Sequence, residues 1–182
     1  MFNVLKMNRL KTWSVLLSAL VVVSLFFLRA ARPVDAVKWY SWQEAVALCK
    51  TAPRPIMVDT YTGWCGYCKK MDANTFSDAG IAGYLNANFY AVKFDAEMKD
   101  SFEFNNHVFK YLPEYKTHEL AVALLDGQLS YPTLVYLTGT FERIAISPGY
   151  KLPADLMPEL EFVKTGAYST MSMEQFLASK GK

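Results

Sequence analysis

The sequence predicts an α/β domain: a central mixed β-sheet flanked by helices, carried behind an N-terminal hydrophobic export or anchor segment. Three observations predict it. Short apolar runs rich in β-branched residues alternate with helix-length segments, in the order strand–helix–strand, hairpin, helix. Two cysteines separated by two residues sit where a buried strand gives way to a helix. Of the 182 residues, 52% are hydrophobic and 20% charged, enough to bury a core, which excludes a disordered chain, a collagen-like fibre and a polytopic membrane protein. Three cysteines are too few for a small disulfide-stapled scaffold.

The chain opens with Lys6, Arg9 and Lys11, then an uncharged run from Trp13 to Leu28, then Arg29 and Arg32. A basic start leading into an apolar stretch is what export machinery reads. Residues 1–36 are therefore expected to be a signal peptide, cleaved after Ala36, or a retained signal anchor; the charge balance across 13–28 favours an inside N-terminus and an outside body. The net charge of +2 belongs to this leader. Setting 1–36 aside leaves 14 basic and 16 acidic residues, so the body carries −2 and offers no basic patch for nucleic acid.

From Val37 onward one domain is expected. Ser41 is placed to cap a helix through Gln43–Leu48, and the Pro53 and Pro55 pair stops it. Ile56–Tyr61 reads as a buried strand, and the chain turns helical after Cys65 to about Asn74. A second helix is expected over Asp78–Asn86 and a strand over Phe89–Asp95. The stretch 98–117 carries no clear periodicity. His118–Leu125 reads as a helix ended by Asp126-Gly127. Thr133–Leu137 and Glu142–Ile146, joined by Thr138-Gly139-Thr140, read as a hairpin, and Pro153–Lys164 as the closing helix.

The chemistry is concentrated in Asp59-Thr60-Tyr61-Thr62-Gly63-Trp64-Cys65-Gly66-Tyr67-Cys68-Lys69-Lys70. Cys65 at a helix start, with Cys68 one turn later, is close enough for a small-ring disulfide. Unpaired N–H groups and the helix dipole favour an anion there, lowering the Cys65 thiol pKa. Cys65 is thus expected to be the exposed attacking sulfur and Cys68 the inner, resolving one. Asp59, six residues earlier in a strand expected to be buried, would have its pKa raised and could take the proton from Cys68; a solvated or hydrogen-bonded carboxylate at the strand's end is the plainer alternative. Tyr131-Pro132-Thr133 is a candidate cis-proline turn that presents backbone to an extended substrate. Trp64, Gly66, Tyr67, Tyr131 and Pro132 are the expected substrate-binding residues.

Asp59 to Lys69 resembles the active-site segment of the thioredoxin-like superfamily, in which a strand with a buried Asp leads to Trp-Cys-Gly-x-Cys-Lys. Pro132-Thr133 resembles that family's cis-Pro-Thr, and Gly149 its glycine after the hairpin. The resemblance covers roughly Lys38–Lys164 and implies a thioredoxin fold over 37–182, with an insertion at about 98–117 and a C-terminal extension at 165–182. The run Trp64–Phe76 with Ser77-Asp78 is similar to exported members, including the C-terminal domain of the transmembrane reductase DsbD. The resemblance implies a periplasmic thiol–disulfide oxidoreductase acting on disulfide-containing exported proteins, re-reduced by a DsbD-type membrane electron donor. Tyr67 departs from the proline of thioredoxin itself, and Cys-Gly-Tyr-Cys also occurs in DsbC-type isomerases. Reduction is the favoured direction, with isomerase or oxidant, and a non-catalytic binding module, as the rivals.

Metal binding is not expected: there is no second C-x-x-C, and His107 and His118 fall in no ligand spacing. No cofactor beyond the Cys65–Cys68 disulfide is called for. Cys49 reads as a buried small hydrophobe, and Lys69 and Lys70 as solvated helix-surface residues.

Overall fold

A computed structural model describes residues 36–181. The expected leader, residues 1–36, lies outside the described residues apart from Ala36. Among the described residues no helix is long and apolar enough to cross a membrane.

Local signals account for most elements. A two-residue strand, β1 (Trp39–Tyr40), precedes Ser41, which caps α1 (Trp42–Cys49). The Ser41 hydroxyl accepts the Glu44 N–H at 3.2 Å, while the Glu44 carboxylate accepts the Ser41 N–H at 2.7 Å, a reciprocal capping box. β2 (Ile56–Tyr61) and α2 (Gly66–Asn74) cover the residues expected of them. Asp78 caps α3 (Ala79–Asn88) by accepting the Ile81 N–H at 3.0 Å, and β3 (Tyr90–Asp95) follows.

The aperiodic stretch forms two small antiparallel ribbons, β4 (Phe102–Phe104) with β5 (His107–Phe109), and β6 (Tyr111–Leu112) with β7 (Thr117–His118). Their strands are too short to show periodicity. α4 (Glu119–Leu124) ends at Asp126 and Gly127, both with positive φ. β8 (Thr133–Leu137) matches its expected span. β9 (Arg143–Pro148) starts one residue later and ends two residues later than expected, because Phe141 takes a φ of 68° and turns its ring onto Trp42 and Phe104. Gly139 in the intervening turn packs on the loop before β2: a Cβ there would lie 2.9 Å from Pro53 Cβ and 3.1 Å from the Arg54 nitrogen. α5 (Pro153–Lys164) is followed by a 3-10 turn (Ala167–Ser169) and an unanticipated helix, α6 (Met173–Lys180), capped by Ser172.

Five strands form one mixed sheet in the order β1-β3-β2-β8-β9, with β1, β3 and β2 parallel and β8 and β9 antiparallel to their neighbours. Alternate residues face two layers. Met57, Ala91, Leu134 and Tyr136 face α2, α3, α5 and α6; Ile56, Val58, Val92, Val135 and Leu137 face α1 and α4. The central strands β2 and β8 are buried on both sides, which explains their unbroken apolar runs. This is the thioredoxin fold that the resemblance implies.

Candidate active site

The C-terminal end of β2 delivers the chain to α2 through Thr62-Gly63-Trp64. Thr62 closes a turn by accepting the Cys65 N–H at 3.1 Å. Cys65 is the N-cap of α2, and its Sγ accepts the Cys68 N–H at 3.1 Å. The two cysteines form a disulfide, with Cα atoms 5.3 Å apart. The sequence predicts an exposed Cys65 over a buried Cys68; here Cys65 is only 4% exposed and Cys68 is equally sequestered. Capping causes the difference, since the Cys65 sulfur turns back over the helix end and is held in the disulfide. The exposed groups are its neighbours: Trp64 at 68% and Tyr67 at 64%.

Asp59 is buried, and the parallel register sets it directly beside Lys93 of β3. Lys93 Nζ donates to Asp59 Oδ2 at 2.6 Å and to Asp72 of α2, and lies over the rings of Trp39, Tyr61 and Phe76 at 4.9–5.2 Å. Asp59 Oδ1 accepts no hydrogen bond among the described residues. Burial raises the Asp59 pKa, and Lys93 only partly draws it back. Lys93 is itself pulled down by burial, but the Asp59 and Asp72 carboxylates outweigh that and hold it above its ordinary value. The cation is shared between two carboxylates, so it stays charged and leaves Asp59 incompletely compensated.

Tyr131-Pro132 is a cis peptide, as the motif predicts. The Pro132 carbonyl accepts the Gly149 N–H at 2.8 Å, and Gly149 holds a φ of 92°, which suits glycine alone without strain. Tyr131 is half-buried and meets Trp64 edge-to-face at 6.0 Å, while the Trp64 indole N–H donates to Glu97 at 3.0 Å. Across the helix, Tyr150 lies 6.2 Å from the Tyr67 ring, under Lys70 at 5.2 Å, so Lys70 is not merely solvated. Gly66 is exposed between the cysteines. Cys49 is buried at the end of α1, away from the pair in the layer facing α4.

Sequence reasoning misses Lys93, Asp72, Glu97 and Tyr150. A lysine inside the apolar run Tyr90–Phe94 was the one available signal for Lys93. The others take their roles from tertiary contacts that no spacing encodes.

Fold and site together define a thioredoxin-fold protein whose C-x-x-C pair fits thiol–disulfide exchange. Residues 20–146 match the model of the family Thioredox_DsbH, described as "Protein of unknown function, DUF255", and the chain belongs to that family. Among curated relatives, "Uncharacterized protein B0495.5" of Caenorhabditis elegans is 29% identical over 110 residues, covering 60% of this chain and 13% of that protein. "Thiol:disulfide interchange protein DsbD" of Vibrio vulnificus is 42% identical over 43 residues, 24% of this chain and 7% of that one. The chain thus spans 13% or less of the length of these relatives. Among solved structures, "DsbH Oxidoreductase" shares the fold at 16% identity and a TM-score of 0.54, covering 74% of this chain and 90% of that one. A thioredoxin from Thermus thermophilus aligns at 26% identity and a TM-score of 0.54, over 71% and 88%. The resemblance to the thioredoxin-like superfamily and to DsbD is borne out.

Proposed function

We propose that this chain is an exported thiol–disulfide oxidoreductase that reduces protein disulfides by dithiol–disulfide exchange at Cys65 and Cys68. One observation carries the reading: Cys65 caps α2, bonded to Cys68, while Asp59, six residues before Cys65, is buried and paired with Lys93. In the reduced protein the α2 N-terminus favours a Cys65 thiolate. That thiolate attacks one sulfur of the substrate disulfide; a Cys65–substrate bond forms, the substrate's own S–S bond breaks, and its other sulfur leaves as a thiolate that takes up a proton. The Cys68 thiol then gives its proton to the Asp59 carboxylate and attacks the Cys65 sulfur. The Cys65–Cys68 disulfide closes, and the second substrate thiolate departs and is protonated from Asp59. Two electrons pass from protein to substrate. No cofactor beyond the cysteine pair enters.

Trp64, Gly66, Tyr67, Tyr131 and Pro132 form the substrate-binding rim in this reading, supported by the exposure of Trp64 and Tyr67 and by the Trp64–Tyr131 contact. Residues 1–36 act as signal peptide or anchor and place the body, 37–182, in the periplasm; the basic flanks of the run 13–28 support this. Substrates are disulfide-containing exported proteins. A DsbD-type membrane donor returns the electrons, which the likeness to DsbD supports.

The deciding assay is insulin-disulfide reduction with dithiothreitol. The wild type is expected to speed precipitation at least tenfold over Cys65→Ser and Cys68→Ser; equal rates would remove the catalytic reading. Tyr67 between the cysteines, where thioredoxin has proline, is the sequence feature that favours isomerase or oxidant chemistry. A Cys65–Cys68 potential near about −270 mV selects the reductant, and one near about −180 to −120 mV selects the alternative.

A further inference from the structure

Residues 98–117 leave the sheet at the C-terminal end of β3, the same edge of the parallel pair β2–β3 from which the chain enters Cys65. Their return is fastened at that edge: the Ala96 carbonyl accepts both the His118 N–H at 2.6 Å and the Thr117 hydroxyl at 3.0 Å. Thr117 is buried at that edge. Trp64 is bonded to Glu97, immediately before the segment. The start and the return of the segment therefore meet at Ala96, next to Glu97 and so next to the residue bonded to Trp64 beside Cys65.

The segment is packed at its base and hydrogen-bonded at its turn. Phe102 stacks on His118 at 5.3 Å, and Phe104 packs on Trp42 and Phe141 at 5.2 and 5.0 Å. The β6–β7 turn is closed by Tyr115 N–H to the Leu112 carbonyl at 3.2 Å and Lys116 N–H to the Pro113 carbonyl at 3.3 Å, with Lys116 at a φ of 51°. This turn presents Tyr115, which is 68% exposed, as much as Trp64. Tyr115 is two residues from Thr117, so its Cα lies within about 7 Å of the residue fastened to Ala96 beside Glu97. Three lysines and three acidic residues leave 98–117 with no net charge, so its attraction is aromatic rather than electrostatic. A tyrosine on a hydrogen-bonded turn supplies contact area at low entropic cost.

We propose that the β6–β7 turn, with Tyr115 at its tip, is a second contact site for the polypeptide that exchanges its disulfide with Cys65, and that it takes an apolar or aromatic side chain a few residues from the reacting cysteine. The assignment rests on the exchange reading above. The turn holds the polypeptide along the Trp64–Tyr131 wall and acts on substrate affinity, leaving the chemistry at sulfur alone.

The test follows single turnovers of the full chain in its dithiol form, with the maximal rate read as kcat and the half-saturating concentration as KM, on two kinds of substrate. One is bis(2-hydroxyethyl) disulfide, which carries no side chain to offer Tyr115. The other is a series of mixed-disulfide peptides carrying one phenylalanine successively further from the cysteine, or serine in its place. Tyr115→Ser is expected to raise KM for the best phenylalanine peptide about five- to tenfold with kcat unchanged, and to abolish the preference for phenylalanine over serine. Tyr115→Trp should restore both. Identical KM values for wild type and Tyr115→Ser across the peptides overturn the contact site while leaving the exchange reading intact. A wild type unable to reduce bis(2-hydroxyethyl) disulfide overturns the exchange reading itself.

Discussion

Asp59 is a carboxylate in a strand whose neighbours are Met57, Val58 and Thr60, all buried. Burial favours its neutral form, and the cation beside it is shared with Asp72. A group whose folded pKa lies above its unfolded value binds its proton more tightly in the native state. Its contribution to stability is therefore present below the unfolded pKa of about 3.9 and lost as pH rises through the folded one. Asp59→Asn should consequently raise the melting temperature of the oxidised protein at pH 8 and change it least at pH 4, as calorimetry across that range would show. The same substitution should slow insulin reduction, on the order of 10²-fold if Asp59 carries the Cys68 proton. An unchanged pH–rate profile would remove that role. Asp59, Cys65 and Cys68 were legible because a strand, an acid and a C-x-x-C stand at fixed offsets. Lys93 was not, because its partnership needs the β2–β3 register, and register is set by pairing between segments 34 residues apart.

At the scale of elements, caps and proline breaks were the reliable signals. Ser41, Asp78 and Cys65 each sit one residue before a helix and accept an N–H from inside it. His118 does the same for α4 in a less familiar way. Its Nδ1 accepts the Leu120 N–H at 3.2 Å, and Nε2 lies 3.1 Å from the Asp100 carbonyl, which assigns the neutral tautomer with the proton on Nε2. Burial lowers its pKa. The unfolded chain therefore takes up a proton from about pH 6.5 that the folded chain resists, so stability falls as pH drops. Between pH 7 and 5 the urea midpoint of the wild type should move down relative to that of His118→Asn, which keeps an acceptor without titrating. His118→Ala should cost about 3 kcal/mol at pH 7 by urea denaturation, because it empties a fully buried ring site as well as removing the cap. The two ribbons within 98–117 escaped detection because two- and three-residue strands have no period, and their order comes from Phe102, Phe104 and Phe109 entering the layer beneath α1 and α4.

Across the body as a whole, the C-terminal extension completes the layer over α5. Phe176 of α6 packs on Phe162 at 5.3 Å, and Lys180 pairs with Glu161. Phe176→Ala should destabilise the protein by about 3 kcal/mol in urea unfolding, the usual cost of emptying a buried aromatic site; a loss under about 0.5 kcal/mol, ordinary for a surface change, would show α6 to be an appendage. By itself the sequence determined the α/β order, the span of β2, α2 and β8, the cysteine pair at a helix start and the acid behind it. These follow from local chemistry: apolar runs, prolines, caps and the spacing of one helical turn. Only the tertiary structure decided that Asp59 faces Lys93, that Glu97 holds Trp64, and that residues 98–117 return to the sheet edge at Ala96. Each depends on residues far apart in the chain meeting across a packed sheet, where burial and register, rather than local propensity, decide which contacts form.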